Sequence, residues 1–366
     1  MLNCECRAVR SGFDGVRCLV HARCCAAPGF LLATAQYLDV SGCDLFSGLY
    51  TSISTDGGGS WSDFAPEAAL APVREKDTVT VGCDATPLYH KGSGRVILLG
   101  HTATYRDGDK KPMGGKRHTF YSFYDRNSGA FGKMQALQMP GGFKECGNGS
   151  GQSLECENGD LLIPVYYLPN GEGKVYACCV LRCAVDAERE TLRLLEIGSP
   201  LSLEIERGLY EPSITYHAGK YYLTMRNDQC GLVAVSEDGL HFAKLSLWRW
   251  QDGRILENYN TQQHWMHVGD ALYLVYTRRD GENDHVFRHR APLYAARVEN
   301  MRLVRESEIA LIPQRGARLG NFGVCSLEDG AALVMAAEWM QPQGCERYGS
   351  DNTIFLSVVT PERGEQ

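Results

Sequence analysis

Residues Ser54–Trp61 read STDGGGSW. In the pattern Ser-x-Asp-x-Gly-x-x-Trp, a hydroxyl and a carboxylate bond the backbone of a tight turn that glycine permits, and the indole packs beneath it. A shorter copy, SEDGLHF, runs over Ser236–Phe242 with Phe242 in the aromatic place. Each copy closes a β-rich stretch, Leu49–Ser54 (LYTSIS) in one case and Gly231–Ser236 (GLVAVS) in the other. The same turn at the end of the same kind of segment points to a repeated unit.

Working outward, the unit recurs along the chain. A turn, often with Gly, leads into an apolar run at Gly29–Gln36, Gly94–His101, Gly159–Tyr167, Gly219–Arg226, Gly269–Thr277 and Gly330–Trp339. The spacing is roughly 50 to 65 residues, the scale of a propeller blade with long loops. Each run precedes a second β-rich stretch, of which Thr119–Tyr124, Lys174–Cys183, Pro292–Val298 and Thr353–Val359 are further examples. β-Branched and aromatic residues are frequent, and no helical periodicity is sustained over three turns. Six units predict an all-β, single-domain β-propeller of six blades spanning residues 1–366, because radial repetition removes the long exposed edges of an open sheet. Seven blades are the alternative, with Arg17–His21 pairing against the C-terminal strand.

Composition narrows the function. The 366 residues carry 37 Lys+Arg against 44 Asp+Glu, a net charge of -7, which argues against nucleic acid as a partner. No apolar run reaches the roughly 18 residues of a membrane helix, so no membrane is expected as a partner. The polar opening Met1–Gly12 has no secretory h-region, and 15 scattered Cys without a CxxC suit reduced thiols. The expected location is cytoplasmic.

The segment Gly208–Asp228 (GLYEPSITYHAGKYYLTMRND), followed by the second turn motif, resembles the fourth blade of the sialidase-like (BNR/Asp-box) propellers. In that family a Glu orients a nucleophilic Tyr and three Arg clamp a carboxylate. The resemblance places Glu211 and Arg226 in those roles, Arg290 of RHRAPLY as the third clamp arginine, and Arg23 of VHARCC as a loose substitute for the first. The Tyr place falls in ARLGNFGVCSLEDG, which holds Asn321 and Phe322 instead, and Tyr348 is a replacement out of context. Without that hydroxyl the covalent step of a retaining sialidase has no acceptor.

A second resemblance is to propeller polysaccharide lyases acting on uronates, of the ulvan lyase and rhamnose–glucuronate lyase type. They share a His, His, Tyr, Arg series, matched here by His101 (ILLGHT), His118 (GKRHTFYSFYD), Tyr166 (LLIPVYY) and Arg182 (VLRCAVD). β-Elimination from a 4-linked uronate removes the C5 proton, which is acidic only once the neighbouring carboxylate is neutralised. Arg182, with His118, would neutralise it, and His101 and Tyr166 would exchange the protons as base and acid in either order. The expected function is a lyase cleaving next to a uronic acid, with an anionic uronate-containing oligosaccharide as partner. The alternatives are a sialidase-type glycosidase and a non-catalytic glycan-binding propeller.

Each candidate has a plainer reading. His101 is a hydrogen-bonded core residue, His118 a solvated basic turn, Arg182 a partner of Asp186, and Glu211–Arg226 a cross-strand ion pair. By strand alternation one of Tyr166 and Tyr167 faces inward, and motif position favours Tyr166. Asn258–His264 (NYNTQQH) is dense in amides that suit sugar hydroxyls, with Asn260 and His264 as binding candidates. The chemistry requires no cofactor. His264 and His267, three apart, and Asp280–Asp284 leave room for a structural metal ion, though neither spacing is a full ligand pattern.

Overall fold

The computed structural model describes residues 2–169, 171, 173–258 and 260–362. Their strands form six antiparallel sheets, arranged as the blades of a six-bladed β-propeller. Blade 1 runs outward from the axis through Arg17–Ala27, Phe30–Asp39, Phe46–Ser54 and Ala65–Pro66. Blade 2 has Thr78–His90, Arg95–Arg106, Thr119–Asp125 and Ala130–Phe131, and blade 3 has Phe143–Gly147, Leu161–Pro169, Ala177–Asp186 and Thr191–Ile197. Blade 4 has Tyr210–His217, Lys220–Arg226, Gly231–Ser236 and Ser246–Leu247, and blade 5 has His264–Val268, Ala271–Tyr276, Leu293–Glu299 and Arg302–Leu303. Blade 6 takes Gly323–Ser326, Ala332–Ala337 and Ile354–Pro361, and is completed on its outer edge by Leu2–Arg10.

That last pairing corrects the alternative of seven blades. Arg17–His21 does not pair with the C-terminal strand; it begins the inner strand of blade 1, with Arg17 to Val20 in register with Asp39 to Gln36. Leu2–Arg10 pairs instead, from Leu2 opposite Pro361 to Arg10 opposite Ile354, and so covers an edge that would otherwise face solvent.

Both faces of every blade lie against a neighbour, which is why the strands read as apolar runs and not as alternating patterns. Adjacent cysteines show this directly. Cys24 packs with the blade 6 residues Leu333 and Met335, whereas Cys25 packs with the blade 2 residues Ala85 and Leu98. Cys178 and Cys179 divide in the same way between blade 4 and blade 2. All fifteen cysteines are free thiols.

The two turn motifs follow the third strands of blades 1 and 4. Asp56 accepts from the Ser54 hydroxyl at 2.8 Å and the Ser60 N–H at 2.9 Å, and Trp61 donates its indole N–H to the Gly58 carbonyl at 3.2 Å. In the second copy Asp238 accepts from Ser236 at 2.8 Å and from the Leu240 and His241 N–H groups at 2.9 and 2.8 Å.

Each blade also carries one non-glycine residue with left-handed backbone on its inner strand or the loop just before it. These are His21, Asp84, Glu145, Glu211, Asn260 and Asn321, with φ between 48° and 59°. On blades 1 to 4 the residue falls where the register slips, between Val20 and Arg23, Cys83 and Thr86, Lys144 and Gly147, and Tyr210 and Ser213. Such bulges re-aim side chains at a cost of about 1–3 kcal/mol each. The four bulged residues and the two loop residues, Asn260 and Asn321, all carry polar side chains.

The junction between blades 6 and 1 rests on Asn352, which is fully buried. Its amide accepts from the Leu19 N–H at 2.7 Å and donates to the carbonyls of Leu19 at 2.8 Å and Glu338 at 2.7 Å. Asn352→Ala leaves three backbone groups unpaired and is expected to cost about 3 kcal/mol. Urea unfolding would register this as a lower midpoint with an unchanged slope.

Candidate functional site

The deepest layer of the central cup is a hydrogen-bonded hub around Asp84. Its Oδ1 accepts from Arg23 Nη2 at 3.1 Å, the Ser150 hydroxyl at 2.6 Å and Asn321 Nδ2 at 2.6 Å. Arg23, with no exposed surface, also donates to the carbonyls of Phe322 and Ala85, both at 3.3 Å. Burial alone would raise the Asp84 carboxyl, but the surrounding charges and the Ser150 hydroxyl hold it far below the usual carboxylate range. His21 gives its Nδ1 proton to Gln36 at 3.0 Å and takes a hydrogen bond from Asn321 at Nε2, 3.1 Å away. Burial lowers its pKa further, so it stays neutral and Arg23 supplies the countercharge. With its donors committed to this layer, Arg23 is a strut and not a ligand clamp.

Above the hub, one wall is aromatic. His101 stands edge-on to Tyr166 with ring centres 6.2 Å apart, and Tyr166 continues to Tyr176 and Tyr210 at 5.4 and 6.3 Å. Burial pushes His101 down to about 3, reinforced by Arg117, against the smaller opposing pull of Asp84, whose Oδ2 lies 3.9 Å from Nε2. Nδ1 is enclosed without a partner against Gly149, where an added Cβ would come within 1.7 Å of it. Burial raises the Tyr166 phenol well above its ordinary value, and Arg117 opposes that shift. The Arg117 guanidinium lies 5.3 Å over the Tyr166 ring, donates to Tyr176 Oη at 3.3 Å and approaches Glu145 at 3.8 Å.

The facing wall is cationic. Glu211 takes both of its oxygens to Arg226 Nη1, at 2.7 and 2.6 Å. Arg226 also donates to Asn260 Oδ1, and its guanidinium lies 4.5 Å over Tyr210. Arg290, 4 % exposed, has the Asn260 carbonyl as its partner and no acidic one among the described residues. Burial pushes it well down, and Arg226 and Arg318 push in the same direction. Tyr210 donates to Asp228, which Arg207 grips with two bonds of 2.7 Å.

The sequence candidates therefore divide. Contacts through Tyr210 bring His101, Tyr166, Glu211, Arg226, Asn260 and Arg290 into one cluster. His118 and Arg182 do not join them. His118 follows Arg117 on an extended segment and so turns the other way, exposed in a separate cleft of about 310 Å³ with Thr78, Thr102 and Lys116. Arg182 sits opposite Leu162, four positions along the strand from Tyr166, and pairs with Asp160 at 2.7 Å. His264 is a core residue: its Nδ1 meets the Ser213 hydroxyl at 2.8 Å, its Nε2 the Phe322 carbonyl at 3.1 Å. Asn321 fills the place expected for a nucleophilic Tyr and is tied into the hub, while Tyr348 is 43 % exposed and stacked on His285 at 4.6 Å. Sequence reasoning missed Arg117, one residue from a chosen candidate, and also Asp84, Tyr210 and Asp228.

The side chains at the metal-like spacings have protein partners. His264 and His267 point to opposite sides of their strand, His267 reaching Thr215 at 2.8 Å. Asp280 accepts from Tyr294 and Asp284 is held by Arg279. Cys83, Asp84 and His101 bring ligand atoms within 4.8 Å of one another, but Asp84 Oδ1 is filled and Arg23 would repel a cation. A cavity of about 1370 Å³ opens elsewhere, against Cys25, Tyr89, Gln152, Tyr216 and Leu327, apart from the charged cup.

No protein-family model and no curated protein sequence matches the chain. Solved structures with the same fold are sialidase-like propellers. Trypanosoma rangeli sialidase is 16% identical with a TM-score of 0.66, over 98% of this chain and 59% of that one. The leech intramolecular trans-sialidase, solved with 2,7-anhydro-Neu5Ac, is 12% identical with a TM-score of 0.59, over 95% of this chain and 68% of that one. A Dyadobacter fermentans protein of unknown function is 14% identical with a TM-score of 0.67, over 98% of this chain and 99% of that one. This chain thus spans about three-fifths of the Trypanosoma enzyme. No helix of the described residues is long and apolar enough to cross a membrane.

The buried imidazoles set an acid limit on stability. His264 is pushed down to about 3 by burial and by Arg23, and His101 to about 3. A His that resists protonation when folded stabilises the fold fully above its unfolded pKa of about 6.5, and that stability drains away as pH falls toward the folded value. Urea midpoints are expected to fall between pH 7 and 5, before most carboxylates titrate. His264→Gln should flatten that slope even though the variant is less stable at pH 7.

Proposed function

We propose that the protein is a carbohydrate-active enzyme that holds the carboxylate of an acidic sugar in the cup and cleaves the neighbouring glycosidic bond by β-elimination. The observation that carries this reading is the meeting of two walls. One offers a neutral imidazole and a protonated phenol, and the other a buried guanidinium, Arg290, without an acidic partner among the described residues. A carboxylate between Arg226 and Arg290 loses its charge to them, which acidifies the C5–H. His101 takes that proton, the C4–O bond breaks as the C4–C5 double bond forms, and Tyr166 protonates the departing oxygen. Arg117, over the Tyr166 ring, would steady the phenolate that results, and the neutralising role expected for Arg182 passes to Arg226 and Arg290. No water is consumed. In a cytoplasm the substrate would be a short uronate oligosaccharide.

Hydrolysis is the second reading, and one feature favours it. Tyr210 donates to Asp228 and lies under both Arg207 and Arg226, at 4.8 and 4.5 Å; burial raises its phenol against the pull of Arg226, so as a nucleophile it would pass its proton to Asp228.

Incubation with uronate oligosaccharides separates the two, because elimination yields a product with new near-ultraviolet absorbance and hydrolysis does not. Tyr166→Phe is expected to lower kcat by about 10²–10⁴ while leaving the thermal transition in place. Arg182→Gln and His118→Gln, outside the cup, should change kcat/KM by less than about threefold. Full activity in Tyr166→Phe would overturn the acid role given to Tyr166, and release of a saturated product that Tyr210→Phe abolishes would replace elimination with hydrolysis.

A further inference from the structure

The cavity of about 1370 Å³ lies at the far end of the axis from the cup. It is lined from all six blades, by Ala27, Pro87, Leu154, Ile214, His267 and Val324 among others, and each of these follows the left-handed residue of its blade. Cys24, Cys25 and Cys325 open onto it. Cys24 and Cys325 also share one packed core, at the seam where the last blade meets the first. The two inner strands approach closely at Gly323, where an added Cβ would lie 2.7 Å from Arg23 Cβ and 3.0 Å from its Cα. Two residues further on, the Ala26 N–H lies against the Cys325 sulfur. Cys24 and Ala26 face the sixth blade, and Cys25 between them faces the second. Among the described residues no other two thiols share both a core and this cavity. Cys18 and Cys345 pack together away from it. Cys146 and Cys179 lie on strands that Leu161–Pro169 separates, about 9.5 Å apart against a disulfide limit of about 7 Å between Cα atoms.

We propose that Cys24 and Cys325 are a modification site, a dithiol that a small disulfide such as oxidised glutathione converts into a covalent bond between the first and last blades. Cys325, the more exposed of the two, reacts first. Its thiolate attacks one sulfur of the glutathione disulfide, whose S–S bond breaks, and one glutathione leaves as thiolate. The Cys24 thiolate then attacks the Cys325 sulfur, the mixed disulfide breaks, and the second glutathione leaves. The protein gives up two electrons, and its two thiol protons pass to the two glutathiones. Enclosure keeps both thiols protonated at neutral pH: Cys325 is pushed up to about 11 with the Ala26 N–H opposing, and Cys24 well above the ordinary thiol range. The exchange is therefore slow, and the pair responds to sustained disulfide stress. The bond closes a loop of about 300 residues across the seam at which the ring would part, so the oxidised form resists unfolding. The inference stands apart from the reading of the cup.

Incubation of the whole protein with oxidised glutathione, followed by peptide mapping without reductant, tests it. The expected result is one bridged pair of peptides, one carrying Cys24 and the other Cys325, lighter together by two hydrogen atoms. The urea midpoint should rise by about 1 M on oxidation, and dithiothreitol should reverse both changes. Because the attacking species is the thiolate, the rate of bridging should climb about tenfold per pH unit between about pH 7 and 9. Cys325→Ala, and Cys24→Ala as an independent variant, should lose the bridge and the midpoint rise, while Cys25→Ala keeps both. A bridge from Cys325 to Cys25, glutathione retained on Cys325 without a bridge, or no bridge at all overturns the proposal. A midpoint rise that persists in Cys24→Ala overturns it as well, since some other oxidation then stabilises the ring.

Discussion

The structure is organised around one buried carboxylate. Asp84 is reached by Arg23 from blade 1, by the Ser150 hydroxyl after the inner strand of blade 3, and by Asn321 just ahead of blade 6. A charge out of water is tolerable only when paired and fully hydrogen-bonded, and removing one partner of such a pair leaves the other stranded. The hub therefore sets the separation of the inner strands where they meet. The groups above it, His101 on one side and Glu211 with Arg226 on the other, inherit their positions from it.

The cup and the blades obey different rules. Between blades, apolar side chains fill both faces of every sheet, and volume decides what fits. Toward the axis, four left-handed residues break the ladders of blades 1 to 4 and two more precede the inner strands of blades 5 and 6, and all six are polar. The backbone cost of these positions is met by the interblade cores, which makes the blades the rigid support on which the cup is held.

This division also explains what could be read from the sequence. The six apolar runs and the stretches after them are the second and third strands of the six blades, and the two turn motifs mark third strands, so the architecture was legible. Much less was legible at the axis. Inner strands such as Phe143–Gly147 and Gly323–Ser326 are short, and the bulge in the first defeats period-two counting. His101 and Tyr166 lie on regular second strands, and both reach the cup. Arg117 and His118 are neighbours just ahead of the strand Thr119–Asp125, where no strand pattern marks which of them faces inward. Arg182 has the right residue type on a predicted strand, but at the wrong end of it, a matter of register with Leu161–Pro169 that no local pattern encodes.

The strand that completes blade 6 has a consequence for how the molecule is made. Leu2 and Pro361 are partners, so the ring is closed by a contact between positions almost as far apart as the chain allows. Bringing such distant segments together costs about 5 kcal/mol of chain entropy, before any reward from the pairing itself. Blades 1 to 5 are built from local hairpins and can assemble as the polypeptide emerges, whereas the final seam waits for Ile354–Pro361 to be synthesised. Until then Leu2–Arg10 is an unpaired β-segment, and a nascent chain stalled before its last blade would expose to other chains the template that the finished ring conceals.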